Sequence, residues 1–299
     1  MHSLSSQNLK LKMKSLFLLA LSISLLFGSK VELEILGSGG PELDGRASTS
    51  YVLWVDNEAK LIVDMGSGSM LRFEESNAKL ETLQAVVLTH LHIDHSVDLP
   101  AFVKAGFFSQ RTESLDIIAP DGNEYFPSTT EFLNDLFGSR GAYRYMSDVL
   151  SPQSDSFEII PIDIKTTNVR EYKDFRLTLM RVHHGIVPAL ALKIETHGRL
   201  IVISGDTNNA DKTLEKLSLN ADLLVAHHAV PEHARGYARE LHMSPSIIAT
   251  TAHKANVKKV LLTHRMNRTI GAEKNSLKVI KSIYKGEVIF AEDRMKLEI

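Results

Sequence analysis

The stretch LTHLHIDHSVDLP, residues 88–100, sets His90, His92, Asp94 and His95 within six positions. The chain has 13 histidines and no cysteine in 299 residues, so such crowding departs from an even scatter. Neutral imidazoles and carboxylates suit zinc and some other transition ions. A single loop histidine is ordinarily satisfied by a hydrogen bond, but H-x-H-x-D-H directly after an apolar run points to metal. The absence of cysteine excludes disulfides, iron–sulfur clusters and thiolate-bound zinc, so any ion must rest on histidine and carboxylate. On an extended loop His90 and His92 face the same way, because side chains alternate with a period of two. Asp94 and His95 can then turn toward a second centre.

The elements that must carry these side chains follow from patterning. Alternating, β-branched or short apolar runs predict strands at 31–36, 49–55, 60–66 and 85–90, the last stopping at the cluster. Further strands are predicted at 157–164, 175–182, 189–195, 199–204, 222–226, 259–263 and 287–291. Helices are predicted at 97–109, 129–137, 210–217, 244–255 and 273–283, the second opening on the capping-box pair Ser128 and Glu131. Strands gathered in two halves with helices between them predict an α/β chain of two mixed sheets with helices outside. No linker, low-complexity tract or short repeat interrupts residues 30–299, which read as one domain.

The cluster resembles the metal-binding motif of the metallo-β-lactamase superfamily, and the resemblance extends over nearly all of residues 31–299. It implies a four-layer αββα fold, a third histidine, a bridging aspartate and a last histidine, all at strand ends. RVHHGIVPALALKIE offers His183 or His184, and the turn and strand that follow favour His184. LIVISGDTNNA supplies Asp206 and VLLTHRMNRT supplies His264. The resemblance then assigns His90, His92 and His184 to one metal and Asp94, His95 and His264 to another, with Asp206 bridging. Two such cations acidify a shared water and clamp the attacking and leaving oxygens. Asp94 would also orient that hydroxide. Relatives with di-iron oxygen chemistry resemble H-x-E-x-D, whereas this chain has His92, so two zinc ions are expected, with manganese or iron as alternatives.

Two further stretches resemble the ribonuclease Z and arylsulfatase-like branch. LGSGGPELDGRASTSYVL, residues 36–53, resembles its opening strand and loop, and LIVDMGSGS its Asp-x-Gly turn, with Asp64 supporting the ligand loop. Gly66-Ser67-Gly68 departs from the usual Gly-Glu-Gly. ELHMSPSIIATTAHKANVKKVLLTH resembles the His-x-Ser helix start before the last ligand, and implies that His242 stabilises developing charge or protonates the leaving oxygen. LLVAHHAVPEHA departs from the family's His-Glu turn, and His227 is a candidate to line the pocket. Transfer-RNA-processing members of bacterial type insert an arm between the third histidine and the bridging aspartate. Here only 21 residues separate His184 from Asp206, so no arm is expected. Residues 124–150, aromatic and mixed in charge, are a lid or a packed helical insert.

Composition sets outer limits. A hydrophobic share of 43% and a net charge of −2 fit a globular protein and advertise no basic nucleic-acid footprint. Lys10, Lys12 and Lys14 precede an apolar run at 16–27, which is signal-peptide grammar and too short for a comfortable membrane span. Residues 1–29 are therefore expected to direct export to the periplasm or outside, with an uncleaved anchor or an N-terminal helix of a cytoplasmic protein as the alternatives, and no integral membrane domain is expected. The expected activity is hydrolysis of phosphodiesters, with aryl sulfates, lactones and thioesters or a non-catalytic metal scaffold as rivals. Small esters are expected as substrates, nucleic acid is not favoured, and a homodimer is compatible with the chain.

Overall fold

The computed structural model describes residues 28–154 and 156–299. The signal-like run at 16–27 lies outside them. Residues 31–299 form one compact unit.

Among the described residues fourteen strands are arranged in two seven-stranded sheets. The first runs β14 (Lys296–Glu298), β1 (Val31–Gly37), β2 (Ser50–Val55), β3 (Glu58–Val63), β4 (Ala85–Val87), β5 (Leu115–Pro120) and β6 (Ile159–Ile164). The second runs β13 (Glu287–Phe290), β12 (Lys259–Thr263), β11 (Leu223–His227), β10 (Arg199–Ile203), β9 (Ala189–Thr196), β8 (Arg176–Val182) and β7 (Asn168–Glu171). Each sheet is antiparallel over four neighbouring strands and parallel over the next three pairings. The two halves thus repeat one pairing pattern without any short sequence repeat.

Residue alternation makes the layers. On β2, Tyr51, Leu53 and Val55 enter an apolar layer shared by both sheets, while Val52 and Trp54 face outward into a second. That inner layer joins Leu33, Leu61 and Val63 to Leu177, Leu192, Ile203 and Leu261 of the opposite sheet. The outer face of the first sheet packs on α1 (Ser69–Glu75) through Phe73, on α3 (Leu99–Gly106) through Phe102, and on α4 (Thr129–Phe137) through Leu133 and Phe137. The outer face of the second packs on α5 (Thr213–Leu217), α6 (Pro245–Lys254) and α7 (Glu273–Ile283), with Leu214, Ile248 and Ile280 buried. The result is helix, sheet, sheet, helix. This is the four-layer αββα arrangement that the resemblance implied.

Patterning missed several elements. β7 and β14 are short, polar edge strands held by one neighbour each, so no apolar run marks them. α1 buries only Ser69 and Phe73, too few positions for a periodic signal. The ligand cluster is not wholly extended either: a one-turn helix, α2 (Ile93–Ser96), interrupts it after His92. Residues 124–150 are a packed insert, with Leu133, Phe137, Met146 and Val149 all buried in the outer layer. Among the described residues no helix is long and apolar enough to cross a membrane.

Candidate metal centre

The site lies where strands of both sheets end. Asp64 follows β3 and His90 follows β4, while His184 follows β8, Asp206 follows β10 and His264 follows β12. His92 is still extended, with ψ 152°, and the α2 turn behind it sets the His95 ring 4.0 Å from that of His90 and brings Asp94 Oδ2 to 3.3 Å from His264 Nε2. A change of backbone class inside six residues is what lets one short motif serve two ligand groups.

Asp206 is the hub. Its Oδ2 lies 3.8 Å from Nε2 of His90 and of His95, and 3.6 Å from Nε2 of His184 and of His264. His264 Nε2 is also 3.3 Å from Asp94 Oδ2, and His95 Nε2 is 3.6 Å from it. His92 Nδ1 approaches His90 Nε2 at 3.0 Å. Ligand atoms of His90, His92, His184 and Asp206 form one group that can hold an ion, those of Asp94, His95 and His264 another, and those of Asp206, His227 and His264 a third. His183, the alternative to His184, is exposed and contributes its carbonyl to Thr207 and Asn208.

Three facts test whether a cation fits. The buried Nε2 atoms of His95, His184 and His264 have no hydrogen-bond partner, a costly state unless something else coordinates them. Two ligands about 2 Å from one tetrahedral ion sit roughly 3.4 Å apart, and the observed 3.3–3.8 Å separations about Asp94 and Asp206 straddle that value. The local field is also right for positive charge. Burial opposes protonation of His95, yet Asp64, Asp94 and Asp206 together raise it to about 9. His264 is likewise raised, burial being outweighed by Asp206 and Asp94. Burial also opposes charge on Asp206, but His264, His242, the His227 hydrogen bond and His184 hold its carboxyl well below the usual range. The residues present fit a metal.

Supporting contacts set the ring orientations. His95 Nδ1 donates to Asp64 Oδ2 at 2.8 Å, and Asp64 itself accepts from the Thr89 amide and hydroxyl. His184 Nδ1 donates to the Leu241 carbonyl at 3.0 Å, which turns its Nε2 inward. Such partners fix the tautomer and direction of a ligand ring. Gly66 is required for packing: a Cβ there would collide with the carbonyl of Asp94.

His227 does not line the pocket with a free nitrogen. Its Nδ1 lies 2.7 Å from Asp206 Oδ1 and its Nε2 3.0 Å from the Tyr51 hydroxyl, which is also 3.2 Å from the Thr263 hydroxyl. Both ring nitrogens are engaged, so it supports Asp206 from beneath. Nothing local in the sequence pairs His227 with Tyr51 of the other sheet, 176 residues away. His242 is buried with Nδ1 3.6 Å from Asp206 Oδ1, and burial, reinforced by His264, His184 and His227 against Asp206, lowers it to about 3.

Residues 43–253 match the family model of the metallo-beta-lactamase superfamily. The chain belongs to that superfamily. The match spans the motif from His90 to His242, and His264 lies beyond it. Ribonuclease Z of Listeria welshimeri is 29% identical over 281 residues, covering 80% of this chain and 89% of its own. Ribonuclease Z of Methanosarcina mazei is 24% identical over 296 residues, covering 88% and 96%. The metallo-beta-lactamase fold protein YhfI of Bacillus subtilis superposes with a TM-score of 0.73 at 22% identity, covering 91% of this chain and all of that one. Within the superfamily this chain stands on the ribonuclease Z-like branch and is a metal-dependent hydrolase. The same kinship overturns the expectation of export, since the ribonuclease Z relatives are cytoplasmic enzymes. A basic stretch before a short apolar run is necessary for a secretory signal and not sufficient for one.

Proposed function

We propose that this metallo-beta-lactamase superfamily member hydrolyses phosphodiester bonds at a dinuclear zinc centre. His90, His92 and His184 would hold one ion, Asp94, His95 and His264 the other, and Asp206 would bridge them. The observation that carries the reading is the position of Asp206 Oδ2, 3.6–3.8 Å from four imidazole Nε2 atoms, two from each set. Five imidazoles among seven ligands favour zinc over manganese, which prefers oxygen donors. A bound pair of this kind supplies a water acidified toward neutral pH and a clamp on the oxygens of an in-line displacement.

The chain's own groups do the rest. His227 holds Asp206 Oδ1 and leaves Oδ2 free; Asp64 and the Leu241 carbonyl aim His95 and His184. Asp94 would both ligate and orient the attacking water. His242, with a pKa of about 3, is neutral at pH 7. It can therefore donate an N–H hydrogen bond to charge developing on the phosphoryl or leaving oxygen, but it is not a reservoir imidazolium for proton transfer.

The 21 residues between His184 and Asp206 are taken up largely by the β9–β10 hairpin, the interval where bacterial ribonuclease Z carries its arm. This supports small diesters over folded transfer RNA. Cleavage of RNA is the second reading, supported by the ribonuclease Z relatives. Zinc-loaded protein should bind about two ions per chain by elemental analysis. It should turn over bis-p-nitrophenyl phosphate faster than an aryl sulfate or a lactone, and precursor transfer RNA poorly. Accurate 3′ trimming of the RNA would reverse the order of the two readings, and inertness toward every diester with two ions bound would reject both.

A further inference from the structure

Beside the metal centre lies a concavity of about 580 Å³ whose wall includes Asp94. Small-molecule sites typically measure roughly 300–1,000 Å³, so the volume suits part of a substrate rather than a protein surface. Its lining is unusual for an exposed place. Of the twelve large hydrophobic side chains exposed among the described residues, four line this one concavity: Leu43, Leu71, Ile93 and Val97. Leu43 is wholly exposed and Leu71 is 56% exposed, so neither contributes to the core. Scattered exposed apolar residues need no explanation, but a cluster in a hollow beside a reactive centre marks a binding surface.

The charges there argue about what binds. Arg46 is paired with Asp44 and Glu292, and Arg72 with Glu75 and Asp293. Glu42 and Asp94 add two carboxylates to the lining. Both guanidiniums are thus already neutralised, and the hollow offers no spare cation to a run of phosphates. A polyanionic strand would find little to hold here. An apolar group would remove Leu43, Leu71, Ile93 and Val97 from water.

We propose that this hollow is a substrate subsite that takes an aryl or alkyl substituent of the diester while the phosphoryl group sits at the metal centre. The proposal rests on the phosphodiesterase reading and adds the class of substituent. A second copy of the chain is the competing occupant. Continuity with Asp94 and the concave, small-molecule volume favour the substrate.

Methylphosphonate and phenylphosphonate share a head group and differ only in the substituent, so their affinities isolate the subsite. By calorimetry on zinc-loaded protein, phenylphosphonate should bind about tenfold more tightly, the return from burying one face of a ring. The double variant Leu43→Ser with Leu71→Ser, two exposed positions whose change spares the core, should bring the ratio to about one with metal content unaltered. Equal affinities in the unaltered protein, or a ratio retained in the double variant, would overturn the subsite. So would a change of the double variant from dimer to monomer by light scattering with the ratio intact, which would make the hollow an interface. Turnover of methyl p-nitrophenyl phosphate separates the two levels. Turnover with equal phosphonate affinities removes the subsite alone, whereas no turnover with both ions bound removes the phosphodiesterase reading and the occupant with it.

Discussion

His227 and His242 both approach Asp206, yet their hydrogen bonding assigns them opposite tasks. His227 is satisfied at both ring nitrogens, so its loss should loosen Asp206 without removing a ligand. His227→Ala should weaken metal binding by roughly 10–100-fold, the usual effect of losing a partner behind a ligand, as measured by competition with a chromogenic chelator. Tyr51→Phe should do the same more weakly. Unchanged affinity in both variants would leave His227 as packing only. His242 has a buried nitrogen without a partner and no place in either ligand set. His242→Ala should lower kcat by about 10²–10³-fold, as for removal of one donor to a developing charge, with two ions still bound; metal loss would instead make it a ligand. His228 stands next to His227 in the chain. It is fully buried against Ser276, and burial, helped by Arg265, lowers it to about 4. The unfolded chain binds its proton near pH 6.5 and the folded one does not, so stability is full above that and falls as pH drops toward 4. The loss from this group should reach up to about 3 kcal/mol. Denaturant titrations at pH 7 and pH 4.5 should show a shallower acid loss in His228→Asn than in the unaltered protein.

At the scale of elements, the site depends on where backbones can pass. The turn after β3 crosses directly under the ligand helix α2, and Gly66 leaves room for the Asp94 carbonyl. Gly66→Ala must push one backbone off the other. It should reduce occupancy of the Asp94, His95 and His264 set more than that of the His90, His92 and His184 set, and cobalt-substituted spectra resolve the two. α4 tests the reverse case, a helix remote from the chemistry. Ser128 accepts from the Glu131 amide while the Glu131 side chain accepts from the Ser128 amide, a complete capping box. Ser128→Ala should therefore cost about 1 kcal/mol of stability by chemical denaturation, with kcat unchanged. A loss of activity there would mean that residues 124–150 also act on the site, where the Phe126 ring already lies 5.8 Å from that of His92.

For the whole molecule, the candidate metal centre is a joint between two sheets. His90, His95 and Asp94 descend from the first sheet, and His184, Asp206 and His264 from the second. Ions that bind only the folded arrangement stabilise it by mass action, about 4 kcal/mol at a thousandfold excess over Kd. Chelation should accordingly lower Tm, and added zinc should restore it. In Asp206→Ala, which removes the ligand common to both sets, melting should respond little to either treatment. An equal zinc-dependent rise in that variant would show that Asp206 is dispensable to binding.

What the sequence determined by itself is local. The histidine cluster, the strand runs that end at each candidate ligand and the capping box at Ser128 all depend on neighbours a few residues apart. Most strands could therefore be drawn from residue patterns, and His90, His92, Asp94 and His95 stood out without any fold. His184, Asp206, His242 and His264 needed the family resemblance, because no spacing rule links residues so far apart in the chain. Only the tertiary structure decided that α2 brings Asp94 to His264, that His227 stands between Tyr51 and Asp206, and that Leu43, Leu71, Ile93 and Val97 share one hollow. These depend on bringing two sheets and their loops together, and a hydrogen bond or a concave surface between distant segments leaves no periodic trace along the chain.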